Sequence, residues 1–138
     1  MKKILRIVFA LSMGVIGGVL LAQTESDFSG WMKEVAATKG KLTAAVTAKD
    51  AAATTASAKI LENDFKQVGA FFTKKGIADG AEKAGAAQAA AAATAKAAAA
   101  GNFDEATVES AKVAGSCGGC HGAHKGKDKG PEGFFLIH

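Results

Sequence analysis

The run Asp79–Ala100, DGAEKAGAAQAAAAATAKAAAA, decides the fold class, because alanine occupies most of its positions and Gly101-Asn102 closes it. Alanine has the highest intrinsic helix propensity, since it loses no side-chain entropy when a helix forms. The run therefore predicts a helix that offers little more than methyl groups to a core. A core of this kind buries little apolar area, and a large apolar cofactor would help to fill it.

Three further segments show apolar residues at helical spacing. Their predicted extents are about Asp27–Val46, about Asp50–Lys75, and Phe103 to beyond His121. Ser26 or Asp27 is predicted to cap the first helix, and Gly76 to end the second. No alternating apolar pattern or hairpin signal predicts a strand. Four helices with short connections predict an all-α fold, an antiparallel four-helix bundle.

The N-terminal segment indicates the compartment. Residues 1–6 are basic, an apolar run extends from Ile7 to Ala22, and polar sequence begins at Gln23. This is the layout of a secretory signal peptide, so residues 1–22 are predicted to be removed and the mature protein to be periplasmic. The mature protein would then have no contact with the membrane. Leu20 lies two residues before the predicted cut, where a small residue is usual, so an uncleaved membrane anchor remains the alternative.

The charge of the mature chain argues against a nucleic acid partner. The whole chain has 17 basic and 13 acidic residues, but Lys2, Lys3 and Arg6 belong to the predicted signal peptide. The remaining basic and acidic residues nearly balance, so no strong positive field is left to attract nucleic acid. Residues 23–125 have the size of one domain. Residues 126–138 are predicted to be a flexible C-terminal tail, because Gly126–Pro131 is polar and breaks helices.

The motif that carries chemistry lies near the end of the fourth helix, where the chain reads SCGGCH over residues 116–121. Cys-x-x-Cys-His is the attachment motif for c-type haem. Two thiols three residues apart lie along one helix face, so Cys117 and Cys120 can each bond one haem vinyl group. His121 then becomes an axial ligand of the iron. The sequence thus predicts one covalent haem c, with Gly118 and Gly119 leaving room for the porphyrin.

Other uses of the two cysteines remain open. A redox dithiol would belong to a strand–helix–strand unit, which this chain does not predict. A disulfide between Cys117 and Cys120 would close a very small loop and leave His121 without a purpose. A zinc site would add His124 to the three motif residues, but one short helix does not easily turn four ligands toward a tetrahedral centre. The motif, the export signal and the helical pattern together favour haem.

The chain resembles the cytochrome c prime family, the class II c-type cytochromes. The run Val113–His121 resembles the signature of the family's last helix, and the likeness in layout extends from about Asp27 to Lys125. The resemblance implies a four-helix bundle with the haem motif near its C-terminus, and a homodimer formed through the first two helices. The family usually has an aromatic residue and an arginine where this chain has His124 and Lys125. Lys125 could still pair with a haem propionate, as a point charge and not as a bidentate fork.

The family divides by the group that faces the iron opposite the histidine. The stretch Trp31–Glu34 resembles the methionine-bearing segment of the low-spin members, so the resemblance implies that Met32 is the second axial ligand. The plain alternative is that Met32 is a core residue, as methionines at helical spacing usually are. Two histidines are weaker candidates: His124 is predicted at the surface, and His138 reaches the iron only if the tail folds back.

These features predict a periplasmic one-electron carrier that serves redox partner proteins and is not an enzyme. The first alternative is a five-coordinate haem protein that binds or senses small gases. The second is a haem-free exported bundle with a local disulfide. The aromatic residues that could line a haem pocket, or form plain bundle core, are Phe28, Trp31, Phe65 and Phe72.

Overall fold

A computed structural model describes residues 23–129 and 135–137, so the predicted signal peptide and His138 lie outside the described residues. The elements are α1 (Glu25–Thr47), α2 (Ala51–Lys75), α3 (Ala78–Ala99), α4 (Phe103–His124), β1 (Lys125–Lys129) and β2 (Phe135–Ile137). The four helices pack as a bundle, which confirms the predicted all-α fold. None of the helices in this part of the chain is long and apolar enough to cross a membrane.

The helix ends follow local capping chemistry. The Thr24 hydroxyl accepts a hydrogen bond from the Asp27 amide at 3.1 Å, and the Asp27 carboxylate accepts one from the Thr24 amide at 2.8 Å. This reciprocal pair is a capping box, so the prediction of a cap at Ser26 or Asp27 is wrong by a few residues. Asp50 caps α2, and Gly76 ends it with a φ of 73°. The positive φ favours glycine, and the helix end at this residue confirms Gly76 as the predicted stop.

Consecutive helices run antiparallel, as contacts at their ends show. Lys75 at the end of α2 lies 2.6 Å from Glu25 at the start of α1. His124 at the end of α4 lies 2.8 Å from Asp79 at the start of α3. Each helix packs against the next, and α1 also contacts α4, which closes the ring. The α1–α4 contact is the weakest of the four.

The core changes character along the bundle. At the end where α1 starts, Phe28, Phe71 and Phe72 form an aromatic cluster with ring centroids 4.7 to 6.3 Å apart. Further along, aliphatic side chains of α1 and α2 pack against α3, which contributes alanines only. The prediction that the third helix brings only methyl groups to the core is therefore confirmed for this cluster.

Gly80 is required by packing and not by its backbone conformation. A Cβ atom at this position would lie 2.6 Å from Cδ1 of the Phe72 ring, closer than carbon atoms approach. We expect Gly80→Ala to lower the free energy of unfolding by about 1–3 kcal/mol, since overpacking displaces the ring or the helix. Gly85→Ala on the same helix meets nothing within 4 Å, and should instead raise stability by about 0.5–1 kcal/mol. Urea unfolding followed by far-UV circular dichroism measures both; equal effects would contradict the packing argument.

Asp64 is a carboxylic acid buried in the bundle. It is 2% exposed, and its Oδ2 atom has no hydrogen-bond partner. Burial, and secondarily the negative charge of Glu34, raises the pKa of Asp64 to about 6. The folded state therefore holds this proton more tightly than the unfolded chain, whose aspartate has a pKa near 3.8. The resulting stabilisation is complete below the unfolded pKa and is lost as the pH rises through the folded one.

We expect the free energy of unfolding contributed by Asp64 to fall by roughly 2–3 kcal/mol between pH 4 and pH 7.5. Asp64→Asn keeps the shape but cannot ionise, so it should match the wild type at pH 4 and exceed its stability at pH 7.5. Glu82→Gln makes the same chemical change at an exposed position and is the matched control. Urea unfolding at both pH values provides the measurement. A variant that parallels the wild type at every pH would show that the buried carboxyl is not responsible.

The tail contains a structure that the sequence did not predict. Strands β1 and β2 pair antiparallel, with Lys125 opposite Ile137 and Lys129 opposite Phe135. The prediction that the chain has no strand is therefore wrong for this segment. The physical reason is tertiary, because Ile137 packs against the cluster that contains Phe28 and Phe72 and so brings the end of the chain back to the bundle. The boundaries at residues 22 and 125 and the flexibility of the tail remain predictions.

Candidate functional site

A cavity of about 770 Å³ is lined by all four helices and mostly by α1 and α4. Of the neighbouring helix pairs, α1 and α4 contact each other least. Helices α1 and α4 form its two sides, and α2 and α3 form an apolar floor. The floor residues are Phe65, Val68, Phe72, Ala84 and Ala87. All five residues predicted to hold the cofactor line this cavity: Met32, Cys117, Cys120, His121 and Lys125. Residues far apart in the sequence are thus brought to one site.

The α4 wall is built by helical spacing. Cys117, Cys120, His121 and His124 recur at intervals of three and four residues, so they lie on one face of the helix. The face extends over about two turns of the α-helix, with a rise of about 1.5 Å per residue. Both cysteines are half-buried free thiols, and the Cys117 sulfur lies 3.8 Å from the Val113 carbonyl oxygen. The face presents two thiols and an imidazole to the cavity in the order that the motif predicts.

The α1 wall brings Met32 to the same cavity. Met32 is partly buried and packs against both main core clusters. Three of the four aromatic residues considered for the pocket line the cavity: Phe28, Phe65 and Phe72. Trp31 does not line it but packs against the aromatic cluster from α1. Met32 therefore contacts the core and also lines the cavity, and its role as an axial ligand stays a prediction.

His124 corrects one prediction. It is 9% exposed, so its assignment to the surface is wrong. Its Nε2 atom lies 2.8 Å from the Asp79 carboxylate, which also accepts a hydrogen bond from Lys83 at 3.2 Å. Its ring lies 5.4 Å from the Phe72 ring. His124 thus packs its ring against Phe72. Its contact with Asp79 also links the end of α4 to the start of α3.

The pKa values of three groups on α3 and α4 are shifted by burial and by neighbouring charges. The hydrogen bonds from His124 and then Lys83 hold the pKa of Asp79 below its ordinary value. Burial raises the pKa of the Cys120 thiol, an effect that nearby Lys83 partly offsets. Burial of the ring, with a smaller contribution from Lys125, lowers the pKa of His121. The lower pKa favours the neutral imidazole, which is the form that binds metals.

The two glycines of the motif differ in their surroundings. A Cβ atom on Gly119 would meet the Lys83 side chain at 3.6 Å, so Gly119 faces the neighbouring helix α3. A Cβ atom on Gly118 would meet nothing within 4 Å. Neither residue lines the cavity. The expectation that the two glycines leave room for the porphyrin stays a prediction.

The rim of the cavity is mainly basic. Lys33 and Lys39 of α1 and Lys125 of β1 line it, and the one carboxylate among the lining residues belongs to Glu25. Glu25 forms an ion pair with Lys75 at 2.6 Å. The charged side chains that line the cavity are therefore mainly basic, which suits a ligand with anionic substituents. The contact of Lys125 with a haem propionate stays a prediction.

Within residues 23–129 and 135–137, no three His, Cys, Asp or Glu side chains come together as a site for a bare metal ion. Comparison with known proteins adds no relative: no family model, no curated protein and no solved structure matches the chain. The resemblance to the cytochrome c prime family therefore rests on the motif and the layout of the sequence.

Proposed function

We propose that the protein is an exported mono-haem c-type cytochrome of the class II kind, which carries single electrons between periplasmic redox partner proteins and is not an enzyme. One observation carries the proposal. The attachment motif on α4 and Met32 on α1, separated by more than eighty residues, line the same cavity. A haem held there would have a histidine from one helix and a methionine from another within the same pocket.

The residues present fit a haem in four respects. The cavity volume of about 770 Å³ lies within the range of roughly 300–1,000 Å³ that cofactor sites occupy. Its floor is apolar, which suits the porphyrin ring. Its rim carries Lys33, Lys39 and Lys125, which suit two propionates. The thiols of Cys117 and Cys120 are unbonded and half-buried on the cavity face of α4.

Each part of the site has a definite task in this proposal. The thiols of Cys117 and Cys120 would hold the haem by addition to its two vinyl groups; each sulfur would bond to one vinyl carbon and the thiol hydrogen would go to the other, so no oxidant is needed. His121 would offer a neutral imidazole nitrogen to the iron, and Met32 would offer a thioether sulfur, which favours the ferrous state. The bound iron would supply the one-electron couple. The apolar floor would exclude water, and the lysines would hold the propionates.

The test is to produce the full chain in a bacterium that exports proteins and attaches c-type haem, and to denature the purified protein. We expect one haem per chain, measured as the pyridine haemochrome, to remain with the polypeptide in denaturant. The free cofactor separates under these conditions unless it is covalently bound. Absence of haem absorbance after denaturation would refute the proposal and favour the haem-free bundle.

The second candidate function is a five-coordinate haem protein that binds small gases. One observation favours it: apart from Met32, the described side chains of α1 and α2 that line the cavity offer no sulfur or imidazole ligand. If Met32 stays in the core cluster and not on the iron, the sixth position is open. Carbon monoxide added to the ferrous protein distinguishes the two, since an open site binds it fast and a methionine-ligated site does not.

A further inference from the structure

Strand β2 bridges α1 and α4, because it contacts α1 and pairs with β1, which follows α4 directly. The half-buried side chain of Ile137 lines the cavity, as do His124 and Lys125. Ile137 also packs against the core cluster that contains Phe28 and Phe72. Strand β2 therefore supplies part of the cavity wall.

The backbone fixes this position. Strand β1 begins at Lys125, immediately after α4 ends at His124, and Lys125 pairs with Ile137 in the antiparallel ladder. The pairing places Ile137 opposite Lys125, which follows the motif histidine by four residues, and the register shifts between Lys125 and Lys129. Trp31 and Met32 pack against the core cluster that Ile137 also contacts. Ile137 and Met32 therefore adjoin the same part of the core and line the same cavity.

We propose that Ile137 is a positioning and specificity-determining residue of the haem site: it closes the α1–α4 opening and keeps water and small exogenous ligands away from the iron face that Met32 serves. The inference rests on the proposed function. An apolar side chain at this place lowers the local dielectric, which favours the less charged ferrous state and raises the reduction potential. A wall that can be traversed only slowly also favours electron transfer over gas binding.

The experiment uses the full haem-loaded chain with Ile137→Ser, the conservative Ile137→Val, and Val108→Ser as a control. Val108 is 56% exposed on α4 and lines no part of the cavity. Carbon monoxide binding to the ferrous protein is timed in a Met32→Leu background, where the sixth position is open and methionine dissociation does not limit the rate. We expect Ile137→Ser to accelerate binding about tenfold, equivalent to roughly 1.4 kcal/mol at the barrier. Ile137→Val and Val108→Ser should stay near the parent rate, and Ile137→Ser should lower the reduction potential with Met32 present.

A readout without haem separates this inference from the proposed function. In the full chain with both cysteines changed to alanine, the one tryptophan, Trp31, reports on the cluster that Ile137 covers. We expect Ile137→Ser to shift Trp31 fluorescence to the red, and Val108→Ser to leave it unchanged. A protein that never carries haem would refute the proposed function, and the shift would still decide whether Ile137 seals the cavity. An unchanged carbon monoxide rate in the haem-loaded protein, or an unchanged emission in the haem-free one, would overturn the assignment of Ile137.

Discussion

Replacement of both Cys117 and Cys120 by alanine is expected to abolish haem attachment completely, so that no haem absorbance remains with the denatured polypeptide. The reason is that the two thiols are the only cysteine sulfurs of the chain and both face the cavity. The helices should nevertheless remain folded. Neither cysteine belongs to the core clusters, and both are half-buried. We therefore expect the free energy of unfolding of the haem-free protein to change by no more than about 1 kcal/mol.

Ser116→Ala is the matched control for the cysteine variant. Ser116 lies on the same helix, lines the same cavity, and donates its hydroxyl hydrogen bond to the Lys112 carbonyl at 2.9 Å. This variant should keep its haem in denaturant. His121→Ala gives a second contrast: covalent haem should remain, while the spectrum loses the histidine-ligated form. Haem that survives denaturation in the double cysteine variant would contradict attachment at this motif.

The helices could be predicted from the sequence because their signals are local. The Asp50 cap and the Gly76 stop each act within a few residues of the helix end. The start of α1 was misplaced for a local reason as well. Its capping box has Asp27 at the third helical position, where glutamate or glutamine is the usual partner of Thr24.

The site could be predicted only in part. The face shared by Cys117, Cys120 and His121 follows from helical spacing alone. Met32 reaches the same cavity as this face only because of how α1 and α4 pack. No local sequence signal encodes that packing. The prediction that Met32 lies at the site came from the family resemblance. The burial of His124 depends on Asp79, 45 residues away. Its position three residues after the motif histidine, where the family has an aromatic side chain, was the signal that could have indicated a buried ring.

The strand pair was missed because strand propensity depends on tertiary context. The segment Lys125–Lys129, with its lysines and one glycine, has no apolar alternation. It pairs because β2 is held by the contact of Ile137 with the bundle. The Gly130-Pro131 turn signal followed by the apolar run from Phe134 to Ile137 was the available indication of a returning strand. Neither feature gives a reason for the run to dock on the bundle.

Replacement of Met32 by leucine is the second large effect that we expect, and it decides between the two haem functions. Leucine has nearly the volume of methionine, so the substitution should lower the free energy of unfolding by less than about 1.5 kcal/mol. It has no sulfur, so the iron should lose its second axial ligand. The ferrous haem should become five-coordinate and bind carbon monoxide rapidly, and the reduction potential should fall, because thioether ligation favours the ferrous state.

Val35→Ala is the control for a change of cavity shape without a change of ligand. Val35 lies one turn further along α1, is 6% exposed and lines the same cavity, but it has no atom that could bind iron. It should lower stability, as large-to-small core substitutions do, and leave the spectrum six-coordinate. Absorption spectra of both redox states, with and without carbon monoxide, distinguish the two variants. If the wild type is already five-coordinate and Met32→Leu leaves its carbon monoxide binding unchanged, then Met32 is a core residue only, and the electron-carrier proposal gives way to gas binding at the same haem.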